Sequence, residues 1–349
     1  MPGTPRPSLR LIAHKAGVSH TAVSLALRDD PSIPEPTRLR IKKIADKHGY
    51  RPDPMVAKVL SSLRYKREGG RVLAYVHSFP DDTWKTHLVI GRTFQGAAKR
   101  AEMLGYRVDG FGLSPKFFTP KRLHDVLQNR GIDGIILGGR QMGRGHLSFD
   151  FTPFSTVALG LSVMRPQMHR VTNHQIHALQ LAFRKLRHLG NRRIGLVMPR
   201  WLDARSEYLW HGGYAICQHT TPKSLHVPFY CPEGPDKKSF MHWLTKHKVD
   251  ALLLLDDNPP KWLKEEGLRV PEDIQIAYLD LPPHLHGTHS GIDQRHDFAG
   301  ETAVELLLGQ MYVNATGVPA IPRTIMIEGR WVEGGSTCKR HSASPHAKA

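Results

Sequence analysis

Cysteine is scarce in this chain: there are three in 349 residues, Cys217, Cys231 and Cys338. An odd number with no CxxC spacing argues for neither a disulfide framework nor a thiolate metal site, so a reducing compartment is expected. Acidic residues are also in short supply. Asp and Glu number 31 against 49 Lys and Arg, a formal net charge of +18 before any of the 22 histidines takes a proton. Such a surplus points to a polyanionic partner. Long hydrophobic runs are missing too: stretches such as 251–255 are far too short to span a bilayer, and Met1-Pro-Gly-Thr-Pro-Arg-Pro7 has no apolar signal-peptide core. A cytoplasmic protein with no membrane partner is expected. The rest of the composition is ordinary. With 40% hydrophobic and 23% charged residues the chain can bury a core, and its length allows two or three domains.

The charge is uneven. Residues 1–70 hold 14 Lys and Arg against 6 Asp and Glu, net +8, a far higher density than in the remainder. This basic fifth also has its own periodicity. Leu9, Ile12, Ala13 and Ala16 after Ser8 predict a capped amphipathic helix that ends at Gly17. Ser19 is placed to cap a second helix with Val23, Ala26 and Leu27 on one face. A third helix is expected over about 35–48, with Ile41, Ile44 and Ala45 inward and Gly49 at its end. The short turn between the first two, containing a glycine, fits helix-turn-helix spacing, although a generic three-helix bundle shares it.

The residues go further than the spacing. Ala16-Gly-Val-Ser-His-Thr-Ala-Val-Ser-Leu-Ala-Leu-Arg28, followed by Ile33, Thr37-Arg38, Ile41 and Gly49-Tyr-Arg-Pro52, resembles the DNA-binding headpiece of the LacI/GalR family of bacterial transcription regulators. The resemblance implies that the second helix enters the major groove, with His20, Thr21 and Leu25 at base edges and Ser19, Ser24 and Arg28 on phosphates. Leu25 departs from members that carry arginine there, which removes one bidentate guanine contact. Asp53-Pro-Met-Val-Ala-Lys-Val-Leu-Ser-Ser-Leu63 takes the place of the family's hinge, whose paired helices wedge an apolar side chain into the minor groove. Val59 occupies the wedge position and Leu60 is the one-residue alternative.

From residue 71 onward short apolar runs alternate with helical stripes. Strands are expected at 72–77, 106–111, 131–137, 193–198, 225–229, 251–255 and 274–279, with helices at 88–104, 119–130, 175–189, 206–218 and 237–247. Such alternation predicts parallel sheets covered on both faces. Gly131-Ile-Asp-Gly-Ile-Ile-Leu137, Leu189-Gly-Asn-Arg-Arg-Ile-Gly-Leu196, Val270-Pro-Glu-Asp-Ile-Gln-Ile-Ala-Tyr278 and Gly300-Glu-Thr-Ala-Val-Glu-Leu-Leu307 resemble the same family's regulatory core. The resemblance implies an α/β fold: a small all-α headpiece over 1–50, a hinge over 51–70 and a periplasmic-binding-protein-like core over 71–332. That core is made of two doubly wound α/β subdomains joined by three crossovers. A disordered tail is expected over 333–349.

Ligands of such sheets bind beyond the carboxyl ends of the strands. The loops there offer Ser78, Phe79, Trp84, Arg140, Arg205, Trp210, Asp256, Asp257 and Asp280, a set of carboxylates, arginines and aromatic faces suited to a sugar. Trp210 stands where many relatives have a ligand-gripping arginine, and Leu279 where aspartate is frequent. Gly138-Gly-Arg-Gln-Met-Gly-Arg-Gly145 lacks the spacing and the lysine of a phosphate loop. Pro282-Pro-His-Leu-His-Gly-Thr-His289 has no helix to orient its histidines around a metal. No cofactor is expected. The reading that emerges is a homodimeric regulator on a near-palindromic double-stranded operator, controlled by a small molecule of the sugar class. An α/β enzyme with a basic nucleic-acid-binding extension is the alternative.

Overall fold

The structure, a computed structural model, describes residues 8–27, 30, 32–50, 71–79, 82–113, 117–140 and 143–340. The expected hinge over 51–70, and with it Val59 and Leu60, lies outside the described residues, as does Arg28.

The headpiece has three helices, α1 (Leu9–Ala16), α2 (His20–Ala26) and α3 (Glu35–Lys47). The Ser8 hydroxyl accepts from the Leu11 N–H at 3.3 Å and the Ser19 hydroxyl from the Ala22 N–H at 3.1 Å, so both predicted caps form. Gly17 ends α1 at φ +64°, a left-handed residue that redirects the chain into α2. Ile12, Ala13, Ala16, Val23, Ala26, Ile41 and Ala45 form the core, all fully or nearly fully buried. Arg38 is structural: its guanidinium donates to the carbonyls of Ile33, at 2.8 Å, and Asp30, pinning the chain between α2 and α3.

The core is described by itself. Its strands and helices, in chain order, are β1 (Arg71–His77), α4 (Leu88–Met103), β2 (Tyr106–Gly112), α5 (Pro120–Asn129), β3 (Gly134–Leu137), β4 (Gly145–His146), β5 (Ser155–Leu159), β6 (Val163–Arg165) and β7 (His169–Asn173). Then come α6 (Gln175–His188), β8 (Ile194–Val197), α7 (Arg200–Arg205), α8 (Leu209–His219), α9 (Lys237–Lys246), β9 (Ala251–Leu254), α10 (Asn258–Glu265), β10 (Gln275–Tyr278), β11 (Ser290–Asp293), α11 (His296–Tyr312), β12 (Thr324–Ile327) and β13 (Arg330–Val332). One sheet runs β12-β7-β5-β3-β1-β2 and the other β13-β11-β10-β9-β8, with a small β4-β6 pair beside them. The chain crosses between the two sheets after β7, after β11 and between β12 and β13. β3 pairs in parallel with β1 and β5, and β9 in parallel with β8 and β10, whereas β13 runs antiparallel to β11. β1, β3, β5, β8, β9 and β10 have nearly all residues buried, which is why they read as continuous apolar runs.

Three expectations are corrected. The helix expected at 206–218 starts only at Leu209 and is preceded by a separate short helix, α7, because Glu207 and Tyr208 adopt left-handed φ of 56° and 59° between the two. The strand at 225–229 is a 3-10 turn, Lys223–Leu225, followed by a single bridge from Tyr230 to Val197. Pro228 sits in that stretch without an N–H for a ladder. The tail does not begin at 333: Ser336 donates from its hydroxyl to the Ile276 carbonyl at 2.7 Å, and Arg340 donates to Asn191 and to the Asp250 carbonyl, both at 2.9 Å. Residues 341–349 lie outside the described residues.

The subdomains meet along α4 and α11, where Gly96 faces the Asp297 backbone and Gly300 faces the Thr93 carbonyl. A Cβ built on either would lie 1.9 Å from that carbonyl oxygen, so the two helices touch backbone to backbone. Arg92 on α4 adds ion pairs to Asp297 at 3.0 Å and Asp293 at 3.4 Å.

Candidate functional site

In the headpiece, α2 presents Ser19, His20 and Thr21 to solvent, while Ser24 and Leu25 are half-buried one turn on. The cap fixes the first turn, and Val23 and Ala26 anchor the opposite side in the core, so the exposed face is rigidly held. Hydroxyls and an imidazole together on that turn suit a surface that meets both phosphates and base edges. Arg10, Lys15, Arg40, Lys43 and Lys47 are exposed elsewhere on the same three helices.

In the core, a cleft of about 400 Å³ opens between the two sheets, at the carboxyl ends of β3, β5, β7, β9, β10 and β11. Of the expected ligand residues, Arg205, Trp210, Asp257 and Asp280 line it. Ser78 and Arg140 line a separate neighbouring pocket. Phe79 and Trp84 are buried at 2% and 4% exposure in an aromatic cluster with Tyr75, His77 and Phe94. Asp256 turns back to accept from Asn258, backbone at 2.9 Å and side chain at 2.8 Å, and so braces the start of α10 rather than facing the cleft.

The cleft also holds groups that the sequence did not single out. His296 Nε2 bonds Asp280 at 2.9 Å, and its buried Nδ1 has no partner among the described residues. Buried oxygens Thr172 Oγ1, Gln175 Oε1 and Gln294 Oε1 are likewise unpartnered there. A buried polar atom without a partner costs about 1–3 kcal/mol, and all four of these belong to residues that line the same cavity. Burial, together with Arg205 and His296, pushes His87 below the ordinary histidine value despite the opposing pull of Asp280. As a neutral ring whose Nδ1 caps α4 by accepting from Val89 and Ile90, it carries its proton on Nε2. Burial lowers Arg205, and nearby Arg140 lowers it further. Burial beside Asp257 and Asp256 raises the Tyr278 hydroxyl to about 12, which keeps it a neutral donor. Trp210, nearly buried, and Trp201, half exposed at 48%, supply aromatic surface. The arrangement suits a small polar molecule, and among the described lining residues there is no nucleophile paired with a base.

Residues 8–53 match the family model of bacterial regulatory proteins of the lacI family, and residues 183–337 match the periplasmic binding protein-like domain. The N-terminal segment thus matches a lacI-family DNA-binding domain and the second half of the chain a periplasmic binding protein-like domain. The HTH-type transcriptional repressor CytR of Escherichia coli (strain K12) is 26% identical over 341 residues, covering 87% of this chain and 89% of the relative. Among solved structures, a complex of the transcriptional regulator CelR with cellobiose aligns with a TM-score of 0.55 at 18% identity, covering 95% of this chain and 100% of the other. The Lac repressor dimer bound to operator and the anti-inducer ONPF aligns with a TM-score of 0.55 at 17% identity, covering 95% and 99%. At those identities the structural likeness is one of fold.

Three of the cleft residues missed in the sequence share one cause. Thr172, Asn173 and Gln294 follow or end β7 and β11, strands with too few apolar residues to stand out. His169-Arg-Val-Thr-Asn173 buries a histidine and a threonine in the sheet. His87 had a readable signal, since it directly precedes the apolar stripe of α4 at the capping position.

Proposed function

We propose that this chain is a LacI-family transcription regulator that binds a near-palindromic operator as a homodimer and is switched by a sugar-class effector in the core cleft. The observation that carries the effector half is a single cavity lined by Thr172, Gln175 and Gln294, a paired His296–Asp280 and two tryptophans. Hydroxyl-rich rings meet such a site with hydrogen bonds at their edges and stacking on their faces. The cellobiose complex of a protein with the same fold supports that choice, and the operator-bound Lac repressor dimer supports the two-fold assembly. On DNA, His20 and Thr21 read base edges, Leu25 makes an apolar contact, and Ser19, Ser24 and Arg28 hold phosphates. In the cleft, Trp210 stacks on the effector while Asp257, Asp280 and Arg205 hydrogen-bond to it. Effector binding shifts the balance between closed and open clefts, and with it the competence of the paired hinges.

The deciding experiment is selection of bound sequences from a random duplex pool with the full-length protein, with and without a panel of sugars. An enriched palindrome whose recovery changes with one sugar is the expected result. Binding with no enriched sequence under any sugar overturns the proposal. Trp210→Ala and Asp257→Ala are expected to abolish the sugar response while operator affinity stays within about twofold of wild type. For the hinge wedge, Val59→Gly is expected to lower specific affinity about tenfold and leave the weak, salt-sensitive background intact, with Leu60→Gly as the alternative position.

A further inference from the structure

Beside the cleft, and wholly within the first subdomain, lies a second cavity of about 350 Å³ at the carboxyl ends of β1 and β3. Its wall is mostly apolar: Val76, Leu113, Phe118, Leu137, Leu147 and Val163. None of its described lining residues is acidic, and Arg140 is the one arginine or lysine among them. The buried Nε of Arg140 has no hydrogen-bond partner among the described residues. Gly145 makes room for the guanidinium, since a Cβ there would fall 2.9 Å from its Cζ. A desolvated guanidinium nitrogen without an acceptor is expensive, and the planar fork of arginine is matched by a carboxylate. On the opposite wall, Thr119 caps α5 by accepting from Arg122, whose guanidinium rests over the Phe118 ring at 5.7 Å. His77 stacks on Trp84 and accepts from the Phe79 N–H through Nδ1, which leaves Nε2 to carry the proton of the neutral ring.

We infer that this cavity is a second ligand site, distinct from the effector cleft, for a small apolar carboxylate: a ring or short acyl body among Leu113, Phe118 and Leu137, with its carboxylate on Arg140. The site is wired to the cleft. The Arg140 N–H donates to Ser162 Oγ at 3.0 Å, Ser162 lines the cleft, and Gly139 lines both cavities. A ligand that fixes Arg140 therefore acts on the cleft wall, and linkage makes the effect reciprocal.

The test uses the full chain and two nearly isosteric probes, benzoate and neutral benzamide, measured by titration calorimetry. Benzoate is expected to bind at least tenfold more tightly than benzamide. Arg140→Met should erase that preference, and Leu147→Trp, which fills the cavity from its half-exposed side, should weaken both probes at least tenfold. Absence of benzoate binding, equal affinity for the two probes in wild type, or an unchanged preference in Arg140→Met each overturns the inference. Loss of benzoate binding in Trp210→Ala but not in Leu147→Trp would put the probe in the effector cleft and also overturn it.

Discussion

His77 shows how one buried side chain ties the stability of the core to pH. Burial outweighs the opposing effect of Asp82 and lowers its pKa from 6.5 to about 4. The unfolded chain therefore takes up a proton below about pH 6.5 that the folded chain refuses until about pH 4. Stability falls as pH drops through that window and the loss is complete below it, about 3 kcal/mol for the full shift. His77→Asn can keep the acceptor for Phe79 but has nothing to titrate. The variant should be less stable than wild type at pH 7, and the gap should narrow as pH falls from about 6.5 towards about 4 in urea unfolding followed by near-ultraviolet circular dichroism. A gap that does not change with pH would refute the assignment. The same scale separates residues that look alike in sequence: Asp256 and Asp257 are neighbours, yet one braces a helix and the other faces the cleft.

At the scale of elements, α4 and α11 cross backbone to backbone between the subdomains. Gly300→Ala would drive a methyl group against the Thr93 carbonyl and the Ala97 N–H. The helices must part, so a destabilisation of about 2 kcal/mol is expected in thermal unfolding, together with an altered sugar response. A Gly300→Ala variant that melts like wild type would show that the helices separate without cost. Elements with an apolar stripe and an obvious stop were legible beforehand, such as α4, which ends before Gly105 at φ +79°. The break between α7 and α8 was not, because it rests on left-handed backbone at Glu207 and Tyr208, residue types that give no local sign of it. β12 was also silent. Its Thr324-Ile-Met-Ile327 is mostly exposed and becomes a strand by pairing in parallel with β7 from a distant part of the chain.

At the scale of the whole molecule, the positive charge and the cleft call for different ionic behaviour. With the proposed phosphate contacts of the basic headpiece, operator affinity should fall steeply and linearly in log–log terms with salt, by about 0.9 per phosphate neutralised. Binding of an uncharged sugar in the core should change little over the same range. Fluorescence anisotropy of a labelled operator and titration calorimetry of the sugar, both between roughly 50 and roughly 300 mM salt, check this. Parallel slopes for the two ligands would contradict the division of labour.

The sequence by itself determined the local grammar: the caps at Ser8 and Ser19, the buried strands with their continuous apolar runs, the basic N-terminal fifth and the lacI-type headpiece motif. These are signals carried by residues within a turn or two of one another. Only the tertiary structure decided which loop residues share a cavity, because its lining is gathered from strand ends and helix starts spread between His87 and Ala299, and the polar residues among them have no local signature. Burial then fixed what those residues are. Thr172, Gln175, Gln294 and His296 are ordinary polar residues in the sequence, and stand out because the fold buries a polar atom of each without giving it a partner among the described residues.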